Sequence, residues 1–201
     1  FDAHHAFLLT RMLHRIDGID ADIAAAVDAQ IEAYLAPFAS AAARLDEVPG
    51  IGPVAAAVIL AEIGADMARF PTAGHLCSWA KFSPGINSSA GKTKGNGSTG
   101  HGNRNLARVL GEAAVVASRT DTFLGERYRR IARRRGKKRA VVAVGRSILI
   151  IAWHLLADQD THFTDLGADH FTKHTNPEVK KRNHIRQLEA LGYTVTLTPA
   201  A

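Results

Sequence analysis

The sequence predicts a mainly α fold, and three observations carry that expectation. These are a long apolar stripe at helical spacing near the start, an alanine-rich apolar run after a Gly/Pro turn, and a nearly continuous apolar run of helix length behind a block of arginines. With 201 residues, 46% of them hydrophobic and 22% charged, the chain is long enough for one sizeable core with an appendage, and disorder is not the default. It opens at Phe1 inside a helical pattern and so reads as part of something longer. Residues 1–44 form a helical segment in this reading, 45–175 the central domain and 176–201 a tail.

The first element rests on Leu9, Met12, Ile16, Ile19 and Ile23, which alternate at steps of three and four before Val27, Ile31, Leu35 and Phe38 extend the stripe. The alternation is that of a coiled-coil seam, whereas the later steps of four drift from the heptad. Two readings stay open: a helix packed on its own domain, or one that pairs with a second copy or hinges to another domain.

The next unit, Val48-Pro49-Gly50-Ile51-Gly52-Pro53 followed by an apolar run to Ile63, is a tight turn leading into a helix. It resembles the hairpin of helix-hairpin-helix DNA-binding modules. Gly50 and Gly52 permit tight backbone geometry, and exposed amides ahead of a helix hold a phosphate without reading base sequence. The same turn also serves simply to pack two helices. Residues 72–82 then read as a helix capped by Thr72, with Leu76 and Trp79 inward.

Residues 83–102 are too rich in Gly, Ser and Asn to build a core, and loops of this length are functional or disordered. This one holds Ser88 and Ser89, with Lys92 and Lys94 close behind. A hydroxyl beside cations is equipped to attack phosphorus, because the cations stabilise charge developing on the phosphoryl oxygens. Flexible linkers have the same composition, however, and on the residues alone a solvated loop is the stronger reading.

Three helices follow: 103–118 capped by Asn103, with Leu106, Val109, Leu110, Ala113 and Val116 inward; 121–135 capped by Asp121; and 139–156, the buried central helix. The formal charge is +6, with nine Lys or Arg against one Glu over residues 126–139, so one segment carries the basic character. Gly136 is the expected stop between the last two helices. Arg129, Arg130, Arg133, Arg134, Arg135, Lys137, Lys138 and Arg139 are the candidates for a salt-sensitive, sequence-independent grip on nucleic-acid backbone. A solvated charged face is the plainer alternative.

Residues 158–177 read as irregular, 178–191 as a polar helix and 193–197 as a short strand. His162, His170 and His174 match no compact metal signature and are read as ordinary surface or packing histidines. A single cysteine, Cys77, excludes an internal disulfide and a cysteine-rich metal site, and reads as core. No uninterrupted apolar stretch reaches membrane-span length and the start lacks the order of a signal peptide, so a cytoplasmic protein with no membrane partner is expected.

An ordered series of motifs carries a specific resemblance: residues 48–53, Ala61-Glu62-Ile63-Gly64, Phe70-Pro71, Trp79-Ala80, Ser83-Pro84, Ser88-Ser89-Ala90-Gly91-Lys92, Gly102-Asn103, residues 134–140, and Asp165-Leu166-Gly167-Ala168-Asp169. Over roughly residues 40–175 the chain resembles the C-terminal domain of insertion-sequence-110 family transposases. The resemblance implies an RNA-guided recombinase acting on DNA in the bacterial cytoplasm, at the nucleoid, with a bridging guide RNA. It also implies a separate N-terminal acidic domain that holds Mg2+, and no metal in this part. The proline-to-serine spacing and the following Gly-Lys place the family's serine nucleophile on Ser89, with Ser88 as the adjacent alternative, and relatives often carry Ser-Gly-Gly where this chain has Ser-Ala-Gly. From charge rather than from the family, Lys92, Lys94 and Arg104 are candidate phosphate partners near the serine.

The expected fold is thus a mainly α, helix-hairpin-helix-containing domain with a coiled-coil-like N-terminal helix and a small mixed tail. The expected role is that of a transposase fragment, inactive without its acidic domain and forming a homo-oligomer through the N-terminal helix. The alternatives are a non-catalytic nucleic-acid-binding module, in which the serine loop is a linker, and a dimerisation scaffold.

Overall fold

A computed structural model of the chain describes residues 1–85, 87–89, 92–94, 99–173 and 177–198. The N-terminal stripe forms one helical rod. α1 (Ala3–Asp22) is capped by Asp2, whose carboxylate accepts from the His5 amide. It passes through a π-helical turn (Ile23–Asp28), α2 (Ala29–Leu35) and a 3-10 turn (Ala36–Phe38) into α3 (Ala39–Asp46). Each step of four overshoots a full α-helical turn by about 40°. A π turn, bonded i→i+5, takes more residues per revolution, and it falls where the steps of four begin. It therefore absorbs part of the drift and keeps the stripe on one side. Along α1 that side does not pack on the chain's own core: Ile16 is 53% exposed, no residue of α1 or α2 is buried, and of the stripe only Leu35, at the end of α2, is partly buried against the core.

The core is built around α8 (Lys137–Ala157), on which α3, α5 (Ala73–Trp79), α6 (Arg104–Ala117) and α7 (Phe123–Arg135) all pack, while α4 (Pro53–Ile63) bridges α3 and α6. Val144, Ile148, Leu149, Leu155 and Leu156 of α8 are buried, each contributing about 1.5–3 kcal/mol. Together they outweigh any one polar contact of the domain. By length and composition α8 is apolar enough to cross a membrane, yet its apolar faces are covered by the neighbouring helices.

Two polar contacts fix the edges of this core. Arg44, the one charged side chain that is buried among the described residues, donates from Nε to the Leu155 carbonyl at 3.1 Å and from a terminal nitrogen to Ser40 Oγ at 2.7 Å. A cation thus meets an otherwise unpaired carbonyl in the last turn of α8, where the helix dipole favours positive charge. Trp153 Nε1 donates to the Phe70 carbonyl at 2.9 Å and ties down the 3-10 turn Met67–Arg69.

The expected boundaries are met with small corrections. Thr72 and Asn103 cap α5 and α6. Thr122 rather than Asp121 caps α7, because its hydroxyl accepts from the Gly125 amide while Asp121 stays exposed beside Arg129. Trp79 is 44% exposed, since Leu76, Cys77 and Ala80 fill the inward positions and Trp79 lies against Phe70 instead. Val116 likewise points outward, because Ala113, Ala114 and Ala117 let α6 approach its neighbours closely. Burial pushes the Cys77 thiol up, in keeping with a core residue.

After α8 come α9 (His170–Lys173) and α10 (Pro177–Ala190). The strand expected at 193–197 is not formed: those residues lack regular structure, with no ladder partner among the described residues, and a strand exists only through its neighbour. Glu47 fastens the segment after α8 to the turn following α3, accepting from the Phe163 amide at 2.8 Å and lying 2.6 Å from His162 Nδ1. The hydrogen bonds from His162 and Phe163 hold the Glu47 carboxyl below its ordinary range.

Arg44→Ala should cost about 2 kcal/mol, the worth of a charge-assisted buried hydrogen bond. In a domain of this size that lowers Tm by about 4–8 °C, read by calorimetry. The Glu47 clasp contributes fully above the ordinary glutamate pKa and is lost as pH falls through the depressed one. The protection factor of the Phe163 amide, which corrects for the slower intrinsic exchange in acid, should therefore fall on acidification below that range, and Glu47→Gln should remove the pH dependence of the protection factor.

Candidate functional site

The serine-bearing segment leaves and re-enters the core at two fixed feet. Phe82 is buried at the first, lying against Gly145 of α8, where an added Cβ would strike its ring. Lys81, just before it, takes the left-handed conformation with φ 60° and turns the chain out of α5. At the second foot Gly102 lies directly on the Ala80 carbonyl, an approach that leaves no room for a side chain. Asn103 follows at once, its Oδ1 accepting from the Leu106 amide while its Nδ2 donates to Glu62. Asn105 Nδ2 also donates to Glu62, at 2.7 Å. A single carboxylate on α4 thus clamps the start of α6, and with it the end of the loop. The sequence reading missed Glu62 in this role, although two asparagines within the first turn of a helix signal side-chain hydrogen bonding.

Between the feet lies a short antiparallel hairpin, β1 (Asn87–Ser89) and β2 (Lys92–Lys94). Its register pairs Asn87 with Lys94, Ser88 with Thr93 and Ser89 with Lys92. Ala90 and Gly91 of the serine motif lie outside the described residues, as does His174. Lys92 and Arg104 are exposed.

The glycine turn behaves differently from a free phosphate loop. Gly50, with φ 96°, is pressed onto the Ala113 carbonyl of α6, so its lack of a side chain serves helix packing. Gly52 has an extended backbone and caps α4 without a side-chain hydrogen bond, beside a recess of about 340 Å³ that Arg108 and Glu112 also line. Both glycines line that recess, but only at Gly52 would a side chain meet no neighbouring atom.

The basic run divides into two groups. Arg129 is engaged with the protein: its Nε donates to Glu126 at 3.0 Å, and one terminal nitrogen donates to the carbonyls of Thr120 at 3.0 Å and Ser118 at 3.5 Å. Arg133 lies 3.8 Å from the same Glu126. By contrast Arg127, Arg130, Ile131, Arg134, Arg135 and Phe171 line a recess of about 260 Å³, in which no described carboxylate pairs with an arginine. Arg130 sits 4.0 Å above the centre of the Phe171 ring, a cation–π contact, and Phe123 stacks on that ring. Gly136, with φ 85°, ends α7 and opens α8. Beyond it, Lys137, Lys138 and Arg139 fall in the first turn of α8 with no acid there, the end where a helix dipole disfavours cations. Arg127 counts among the nine cations of the basic run but was not among the contacts named from the sequence, although its spacing of three and seven from Arg130 and Arg134 marks one helix face. Phe171 carried no signal there, since it reaches the recess only through the fold.

His162 is taken up by Glu47, and His170 lies edge-on to Phe123. Among the described residues no three potential metal ligands gather.

The fold and site define a helical domain that carries a serine hairpin on one flank and a basic helix junction on another, with an apolar rod projecting from it. Residues 42–129 match the model of the transposase IS116/IS110/IS902 family. Over 135 residues the chain is 33% identical to the insertion element IS110 uncharacterized 43.6 kDa protein of Streptomyces coelicolor, a match covering 66% of this chain and 33% of that protein. The chain carries a transposase domain of the IS116/IS110/IS902 family. It spans about a third of the length of the relative it matches.

Because Arg129 closes the turn between α6 and α7, Arg129→Ala should cost about 1–2 kcal/mol, discounted for its partial exposure. Chemical denaturation should show a lower midpoint, with the loss centred on the α6–α7 turn.

Proposed function

We propose that this chain is the part of a DNA transposase that supplies the serine nucleophile and much of the nucleic-acid grip for strand cleavage and rejoining. The observation that carries the reading is the hairpin register: Ser89 has the cation Lys92 as its cross-strand partner, whereas Ser88 has Thr93. This favours Ser89, which the family resemblance also nominates. The Ser89 hydroxyl loses its proton and attacks a backbone phosphorus; the P–O bond to the neighbouring sugar breaks, its oxygen leaves as a free hydroxyl once protonated, and a phosphoserine link remains. Lys92, Lys94 and Arg104 would lower the cost of charge on the phosphoryl oxygens. Reversal with a different sugar hydroxyl rejoins the strands.

The Mg2+ implied by the family resemblance would be held by the acidic residues of a separate N-terminal domain, as that resemblance also implies. On this reading the chain alone does not recombine DNA. DNA is the substrate, a guide RNA selects the site, and the work is done in the bacterial cytoplasm at the nucleoid. Turn 47–52 with α3 and α4 supplies the helix-hairpin-helix element, with Gly52 and the α4 amides toward the backbone. The exposed stripe on α1 and α2 supports pairing with a second copy, because coiled-coil spacing without an internal partner leaves an apolar seam in water.

A non-catalytic binding module is the second reading, supported by the basic α7–α8 junction, which grips backbone whether or not the serine reacts. Full-length protein with guide RNA, Mg2+ and nicked DNA should give a covalent protein–DNA adduct on denaturing electrophoresis. Ser89→Ala should abolish it and Ser88→Ala should retain it. Loss in Ser88→Ala alone moves the nucleophile by one residue, and tight binding with no adduct from wild type selects the binding module.

A further inference from the structure

We propose that the recess between α7 and α9 is a phosphate seat, in which Arg127, Arg130 and Arg134 together hold one phosphodiester group of a nucleic-acid backbone. The proposal rests on the nucleic-acid reading above and narrows a run of nine cations to one built position.

Spacing comes first. Residues 127, 130 and 134 stand at i, i+3 and i+7, so the three guanidinium groups share one face of α7, with Ile131 between them. Arg129 and Arg133 turn instead toward Glu126, and the only acid in the run is spent on them. Among the described residues no carboxylate comes within ion-pair distance of Arg127, Arg130 or Arg134.

The second observation is an unmet hydrogen bond. Nε of Arg127 is buried with no partner among the described residues. Burial, followed by the charges of Arg130 and Arg146, holds this guanidinium below its ordinary pKa. Like charges gathered beside an apolar wall repel one another, and an anion between them reverses that term. Guanidinium forks match phosphate oxygens in pairs, which makes arginine rather than lysine the suitable residue here.

Third, the seat has a fixed wall. Phe171 arrives from α9, far along the chain, and holds Arg130 across its ring, while Phe123 stacks on Phe171. A side chain restrained in this way loses less freedom on binding than a solvated one. At about 260 Å³ the recess admits a phosphate with some of its water, since one water occupies about 30 Å³.

The test uses the 201-residue chain as wild type, an Arg127→Gln/Arg130→Gln/Arg134→Gln triple variant, Phe171→Leu, and Lys180→Gln as a charge control elsewhere. Fluorescence anisotropy follows binding to a DNA duplex and to an RNA duplex across a salt series, and inorganic phosphate is titrated against Tm. The triple variant should bind at least about tenfold more weakly, with a log–log salt slope shallower by about 0.9 for the lost phosphate. Phe171→Leu removes no charge and should still weaken binding by about two- to fivefold. Lys180→Gln should bind as wild type, and phosphate should raise the Tm of wild type but not of the triple variant. Unchanged affinity and slope in both the triple variant and Phe171→Leu overturn the seat while leaving the nucleic-acid reading intact. Should the triple variant fail to fold, Phe171→Leu decides alone. Should wild type bind neither duplex, the assignment of the seat to a nucleic-acid backbone is overturned together with the nucleic-acid reading, and an arginine-dependent rise of Tm with phosphate would leave a site for the free anion only. The ratio of DNA to RNA affinity identifies the strand that occupies the seat.

Discussion

Everything in this domain depends on covering α8. A helix that is apolar on nearly every side has to be enclosed, and α3, α5, α6 and α7 supply the enclosure. The elements that bear chemistry are then fixed by the same requirement. Phe82, which lies against Gly145, sets where the serine segment leaves the core, and the α7–α8 turn at Gly136 sets where the cations gather. Polar contacts such as Arg44 to Leu155 and Trp153 to Phe70 choose among ways of closing the shell. They do not drive the closure, since each is worth about 0.5–3 kcal/mol against a larger sum of buried side chains.

Enclosure also explains why the basic junction is electrostatically unbalanced. α7 ends in Arg133, Arg134 and Arg135, where the helix dipole welcomes cations, but α8 begins at once with Lys137 and Lys138, where it does not. Glu126 compensates only the Arg129 and Arg133 side. A fold selected for stability alone would place acids at the start of α8. Concentrated positive charge there costs intrinsic stability, and on the proposed nucleic-acid reading attraction of a polyanion offsets that cost.

The helices were legible in the sequence because their apolar spacing, caps and glycine stops agreed with one another. Gly136, Thr72 and Asn103 each act as their type and position suggest. The errors came where a small residue competed with a large one. Trp79 and Val116 fit the helical period but lost the inward positions to smaller residues, Leu76, Cys77 and Ala80 in the one helix and Ala113, Ala114 and Ala117 in the other. Strands proved unreadable in both directions. Residues 87–89 and 92–94 have loop composition yet pair through backbone, and residues 193–197 have strand composition but no pairing partner among the described residues. The recess under Phe171 was invisible because it joins residues far apart in the chain, whereas Ser89 is nominated by the family resemblance alone, its surrounding residues reading as a solvated loop.

The long rod gives the N-terminal stripe a mechanical relation to the site. A continuous helical run from Ala3 to Asp46 spans about 66 Å at 1.5 Å per residue, and it is anchored at its C-terminal end, where Arg44 and Leu45 are buried and Leu35, Ala41 and Ala42 pack against the core. Leu45 and Val48 are fully in the core, so force on the rod reaches the turn at 47–52 directly. From there α4 carries Glu62 to Asn103 and Asn105, and so to the downstream foot of the serine segment. The π turn keeps the stripe aligned over this length, which matters only if something grips the stripe along its full extent. A partner that does so fixes the direction of the rod, and through α3 and α4 it orients the domain that carries the hairpin. The exposed apolar seam and the Glu62 clamp on the start of α6 are thus joined by packed helices, α3 on α4 and α4 on α6.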